Sequence, residues 1–286
     1  MPDFWTHIIG GEKVLEGIDD PAFKAMVEER KELYHFGCQG PDFFFYNDYW
    51  PWKGSKRGPE AGRRLQLENT EELFLRSTDF LKASVVRNEF PLSMIHFSGF
   101  LTHYVFDKTI HPFVNSRVSS PPEHKVLEML IDCFFANKYR GKEAYQLCPV
   151  TAIDLNGKLP PVVVEYFSMI LNRVYGYPRN VGFIQDSYQD MKQVLQLFYF
   201  PGWKPGRIFF TILNLFISHD INMLIYPIKP DYSKLSAKDW EEIERLFNKA
   251  VEESIELLGI VFDFLEDRLN KEQLSAAFPK ENFDGN

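Results

Sequence analysis

Apolar residues recur at steps of three and four along most of this chain, the spacing that lines one face of a helix. Asp20-Pro21 supplies a capping carboxylate and a proline suited to a first turn, and Phe23, Met26 and Val27 follow on one face towards Phe36-Gly37. Asn69-Thr70 opens a second helix carrying Leu73, Phe74, Phe80 and Leu81. Pro91 opens a third through His96, Phe100, His103, Val105 and Asp107, and Ser120-Pro121-Pro122-Glu123 opens a fourth with Leu127, Leu130, Ile131 and Phe134. The pattern predicts further helices over about 161–175, 187–199 and 207–219. Ser236-Ala237-Lys238-Asp239 reads as a capping box before a long amphipathic helix ending near Asn270.

No stretch alternates with the period of two that a half-buried strand needs, and no internal repeat or Gly/Ser-rich linker divides the chain. The expectation is a single all-α domain. Its first half (about 1–135) carries the chemistry, a long loop over 148–161 leads into a helical remainder (about 150–275), and the tail from about 278 is frayed. The run Phe43-Phe44-Phe45-Tyr46-Asn47-Asp48-Tyr49-Trp50-Pro51-Trp52 is not helical in pattern. It reads either as packing over the bundle or as an apolar wall beside a cleft.

Composition narrows the function. Aromatic residues make up 16% of the 286 residues, with 27 Phe, so core or pocket is aromatic-rich. Lys+Arg number 32 against 40 Asp+Glu, a net charge of -8, and strong non-specific nucleic-acid binding is not expected. Cys38, Cys133 and Cys148 have neither zinc-knuckle nor disulfide-framework spacing, which fits a reducing compartment. With no apolar signal core after Met1 and no stretch long enough to span a bilayer, a soluble cytoplasmic protein is expected.

The seven histidines are unevenly placed. His103-x-x-x-Asp107-x-x-x-His111 sets three metal-ligand side chains along one helix face, and His124-x-x-x-Glu128 repeats the device on the next helix. Acids are common enough that one such pair could arise by chance; two pairs joined by a third histidine and a turn are much harder to dismiss. If the helix ends at His111 and Pro112–Pro122 forms the turn, His111, His124 and Glu128 converge as a two-nitrogen, one-carboxylate site, the composition of many catalytic zinc centres. His103 and Asp107, one to two turns away, suit a second metal, and paired metals are the usual clamp for hydrolysing phosphate esters. His35, His96 and His219 lack this context and read as ordinary core or surface residues.

The segment Gly99-Phe-Leu-Thr-His103-Tyr-Val-Phe-Asp107-Lys-Thr-Ile-His111-Pro, with His124-x-x-x-Glu128 after it, resembles the zinc-dependent phospholipase C family, whose all-α fold is shared with fungal single-strand nucleases. Met1-Pro-Asp-Phe-Trp-Thr-His7 is similar to that family's N-terminal His segment, and Gly40-Pro41-Asp42 to its Pro-Asp segment. The matching pieces span residues 1 to about 135. The resemblance implies one zinc on His111, His124 and Glu128. It implies a second on Asp42, His103 and Asp107, with Asp107 bridging to a third near His7, and makes Asp42 the general base acting on water. Two departures stand out. Gln66 occupies the place of a further histidine ligand, and the chain begins with Met1 where secreted members use a processed N-terminus as a ligand.

The leading expectation is therefore a zinc-dependent hydrolase (one to three ions) acting on a phosphodiester or phospholipid-like small substrate. The alternative is a non-catalytic, metal-stabilised helical module with a degraded second site. An iron carboxylate bundle ranks last, because it would use Glu-x-x-His pairs rather than His-x-x-x-acid.

Overall fold

Helices begin where the sequence offers an acceptor to their first unpaired N–H groups. Asp20 accepts from the Phe23 N–H at 2.9 Å, Ser120 from Glu123, and Ser236 and Asp239 form a reciprocal capping box. The computed structural model describes residues 4–49, 53, 56–178, 182–201 and 224–286. Among them are α1 (Phe4–Gly17), α2 (Pro21–Glu28), α3 (Lys31–Gly37), α4 (Arg57–Leu67), α5 (Thr70–Val86), α6 (Phe90–Arg117), α7 (Pro121–Arg140), α8 (Pro149–Ala152), α9 (Pro161–Arg173), α10 (Phe183–Leu197), α11 (Ala237–Leu265) and α12 (Lys271–Ala277). Short 3₁₀ turns lie at Asp42–Tyr46, Ala144–Gln146 and Tyr232–Lys234. The described residues contain no strand, and none of their helices is long and apolar enough to cross a membrane.

The boundaries depart from the sequence pattern in instructive places. The helix expected over 20–37 breaks at Glu29–Arg30, which lets α3 turn onto α6. The segment 148–161 is not a plain loop, since it holds α8. The last long helix stops at Leu265, and Asn270 caps the separate α12. The chain after 278 is packed rather than frayed, with Phe278 and Phe283 buried. The helix expected over 207–219, His219 and residues 50–52 of the aromatic run lie outside the described residues.

At the centre is α6, 28 residues long and about 42 Å by helix rise. Its buried positions run without a break from Ser93 to Asp107, so every face of that stretch is covered. The helices α1, α3, α5, α9 and α11 pack around it. It does not end at His111. Pro112 sits inside it and α6 continues to Arg117. Phe43 and Phe44 take the packing role foreseen for the aromatic run, meeting Phe36 and Phe167 in one aromatic cluster.

The crossing of α3 and α6 requires glycine on both sides. A Cβ at Gly37 would lie 2.4 Å from the His96 carbonyl oxygen, and one at Gly99 2.4 Å from that of Tyr34. Just beyond, Gly40 adopts φ +52°, and a Cβ there would fall 2.1 Å from the His103 ring. These contacts bring the Pro41-Asp42 turn against the middle of α6.

His96, one of the histidines read as ordinary, is a core residue. It packs against Phe36, Phe100, Tyr166 and Phe167, and burial pushes its pKa down to about 3. An unfolded chain binds a proton there from about pH 6.5 downwards while the native state refuses it, so stability falls as pH drops from about 6.5 towards 3. Replacing His96 by Phe should remove about 1.4 kcal/mol per pH unit from that slope. Urea unfolding of wild type and His96→Phe between pH 7 and 4.5 checks this; parallel curves would refute it.

Candidate metal centre

Because α6 is helical through Pro112, His103, Asp107 and His111 stack at successive turns of one face, all buried. Asp107 is the middle of the array. Its Oδ2 lies 3.0 Å from His103 Nε2, and its Oδ1 lies 3.2 Å from His7 Nε2 and 3.7 Å from His111 Nε2. His7 arrives from α1, whose first turn is held by Asp132 of α7. That buried carboxylate accepts the N–H groups of Trp5 and Thr6, both at 2.7 Å, the Thr6 hydroxyl at 2.5 Å and the Tyr226 hydroxyl at 2.5 Å.

Two groups have the separation a metal ion needs. His7, His103 and Asp107 form one and His111, His124 and Glu128 the other, with ligand atoms in each within 4.8 Å of one another. The second is the set expected from the sequence, brought together although the turn between the helices starts only after Arg117. The first differs from expectation in its third member. Asp42 stands beside it rather than in it, 3.8 Å from His103 Nε2, and accepts a 2.7 Å hydrogen bond from the Gln66 side chain. Gln66 therefore faces the centre, from the last turn of α4, and is not on a solvated face.

The electrostatics follow from burial and charge. Burial pushes Asp42 up to about 7, with His103 opposing, and pushes His7 and His124 each down to about 4. Burial also disfavours a charged His103, but the Asp107 and Asp42 carboxylates outweigh it and raise its pKa. Asp107 is held well below the usual carboxylate range by the surrounding histidines despite its own burial. Both nitrogens of His7, Nε2 of His103 and His111, and both oxygens of Asp107 are buried without a hydrogen bond. Native proteins seldom leave such atoms unsatisfied, and those close to Asp107 belong to residues that could hold a cation. The donors present fit a divalent metal of the zinc type.

Beside the centre lies an aromatic cleft lined by Phe4, Tyr46, Tyr145, Phe198, Tyr199 and Tyr226, with Lys125 and Met129 at its α7 side. Four of its lining residues are chain neighbours of the candidate ligands: Phe4 precedes His7 by one turn, Tyr46 follows Asp42 by one turn, and Lys125 and Met129 directly follow His124 and Glu128. Lys125 acts electrostatically on both Asp42 and His124.

Sequence reasoning missed Asp132, Phe283 and Asp284. Asp132 continues the four-residue step His124, Glu128, Asp132, a signal that was present in the sequence. Phe283 and Asp284 have no local signal. The Phe283 carbonyl accepts from His111 Nδ1 at 2.8 Å, and Asp284 Oδ1 lies 3.1 Å from the same nitrogen. His35 is an ordinary buried histidine, set between Glu12 and the Ala152 carbonyl.

A metal held here binds the native state alone and stabilises it by mass action. His124→Ala should lower both metal content and melting temperature. In wild type, a chelator should lower the melting temperature by an amount that excess zinc restores. Metal quantitation with thermal melts reads both effects, and melts indifferent to chelator would count against a metal that matters to the fold.

No known protein family, curated protein or solved structure matches this chain, so the reading of the centre rests on its own residues.

Proposed function

We propose that this protein is a zinc-dependent hydrolase of phosphate esters, similar in its centre to the phospholipase C family, acting on a phosphodiester of phospholipid-like character. The observation that carries the reading is the pair of buried ligand groups contiguous through Asp107, with the orphaned nitrogens and oxygens turned inward. His111, His124 and Glu128 would hold one ion, and His7, His103 and Asp107 another. Zinc in such groups supplies Lewis acidity toward a phosphoryl oxygen and lowers the pKa of water.

The chain's own residues supply the rest. Asp42, at the edge of the array and 14% exposed, would take a proton from the attacking water. The Gln66 amide donates to Asp42 and fixes its orientation. Lys125 offers positive charge to the phosphate, and the aromatic cleft covers an apolar substituent. A divalent ion would place positive charge opposite the Asp107 and Asp42 carboxylates.

The second reading, a non-catalytic metal-stabilised module, draws on Gln66. The amide is a poor zinc donor, and its NH₂ is already committed to Asp42. Turnover decides between the two. Purified protein with added zinc should hydrolyse bis(p-nitrophenyl) phosphate or phosphatidylcholine in mixed micelles. Asp42→Asn should keep its zinc and lose on the order of 10²–10⁴ in kcat. A protein that binds two zincs tightly and turns over neither substrate supports the module.

Gln66→His places an imidazole beside Asp42 and should tighten the weaker zinc. Overlaying titrations of wild type and Gln66→His would show that this position does not limit the second group.

A further inference from the structure

The segment after α12 is tied to the metal centre from both sides, yet the hydrolysis proposed above makes no use of it. Phe278 stacks on Phe74 with ring centroids 5.2 Å apart, and the Tyr104 hydroxyl donates to the Glu281 carbonyl at 2.8 Å. Phe283 is fully buried. Its N–H donates to the Gln66 carbonyl at 3.0 Å, its own carbonyl accepts from His111 Nδ1, and its ring lies against His103 and Tyr104. One residue thus bridges the Asp42–Gln66 side and the His111 side.

The turn that presents it is specific. The Asn282 side chain accepts the N–H groups of Asp284 and Asn286, at 2.9 and 3.1 Å. Gly285 has φ +75°, and a Cβ there would lie 2.6 Å from Pro112 Cγ and 2.7 Å from the Lys108 carbonyl oxygen. That carbonyl is the one whose usual helical partner Pro112 removes by lacking an N–H. A residue other than glycine at 285 is excluded both by its backbone conformation and by the space.

The chemical consequence falls on His111. A carbonyl only accepts, so the Nδ1 facing Phe283 carries the proton and Nε2, facing Asp107, presents its lone pair. Partners of this kind fix the tautomer and ring orientation of metal-binding histidines. We propose that residues 281–286 form a strap that holds His111 in its ligand form, with Asp284 as a positioning residue. Metal occupancy of the His111/His124/Glu128 group and docking of the strap are then a single coupled equilibrium. This rests on the metal reading above and adds to it a requirement 172 positions away from His111 along the chain. By linkage, a metal that binds better with the strap docked also docks the strap.

The test uses the full chain and zinc alone as ligand, with cobalt(II) as a spectroscopic substitute. Zinc titrations against a competing chelator and cobalt absorption are compared for wild type, Asp284→Ala, Asp284→Asn, Gly285→Val and Phe278→Leu. Asp284→Ala should weaken one zinc by roughly 10- to 100-fold and alter the cobalt spectrum of that ion only. Asp284→Asn keeps an acceptor and should recover part of the loss. Gly285→Val, which cannot dock the turn, should lose at least as much as Asp284→Ala. Phe278→Leu, which loosens the anchor ahead of the strap, should lower the melting temperature and weaken the same zinc by less than Asp284→Ala does.

Zinc should also increase hydrogen-exchange protection of the Phe283 amide. This measurement on wild type, with Asp284→Ala, decides the matter even if Gly285→Val does not fold. Unchanged zinc affinity in Asp284→Ala with zinc-independent protection at Phe283 overturns the strap, as does an equal weakening of both ions. A wild type that takes up no metal overturns the metal reading and the strap with it, an outcome separable from the others because no variant then gives a cobalt spectrum.

Discussion

The carboxylate of Asp107, fully buried on the central helix α6, is the constraint around which the candidate site is arranged. An isolated ionised carboxylate in such a place would cost several kcal/mol, so it must be surrounded by positive charge or by donors. Three imidazoles meet it, each brought by a different device. His7 depends on the Asp132 cap at the start of α1, His103 on the glycine turn at Gly40, and His111 on the peptide of Phe283. The Nε2 atoms of all three histidines and both oxygens of Asp107 are buried without a hydrogen bond, and His7, His103 and Asp107 could hold a cation.

The contrast between two histidines of α6 shows how finely this depends on surroundings. His96 and His103 lie two turns apart on the same helix, and both are buried. His96 sees aromatic rings, and burial alone drives its pKa down. His103 sees Asp107 and Asp42, and their charge overcomes the same burial and drives its pKa up. The first is a core residue that happens to be polar. The second is part of a charge array, and only its neighbours in space make it so.

Packing keeps the array rigid. The glycines at the α3–α6 crossing bring backbone against backbone, and the aromatic cluster of Phe36, Phe43, Phe44 and Phe167 fills the space behind the Asp42 turn. Asp42 is thus placed by two glycine contacts and an aromatic wall rather than by a long regular element. The same economy of placement serves one side of the cleft, where Phe4, Tyr46, Lys125 and Met129 sit one turn or less from candidate ligands on α1, the 3₁₀ turn and α7.

What the sequence by itself determined is what helical periodicity makes local. The all-helical architecture, the alignment of His103, Asp107 and His111 and the pairing of His124 with Glu128 follow from a repeat of 3.6 residues and need no knowledge of the rest of the chain. Asp132 was legible by the same rule, one step further along α7. His7 and Asp42 were reached only through resemblance, since nothing in their own segments says what they face. The remainder was decided by contacts between distant segments. Asp42 meets the Gln66 amide, which α4 brings from 24 positions along the chain. A tail that looks polar and unpatterned reaches the candidate site because Phe283 is buried against His103 and Tyr104, with its N–H on the Gln66 carbonyl and its own carbonyl on His111 Nδ1. Neither fact has a periodic signature. A hydrogen bond between residues far apart in the chain exists only once the fold has paid the entropy of bringing them together.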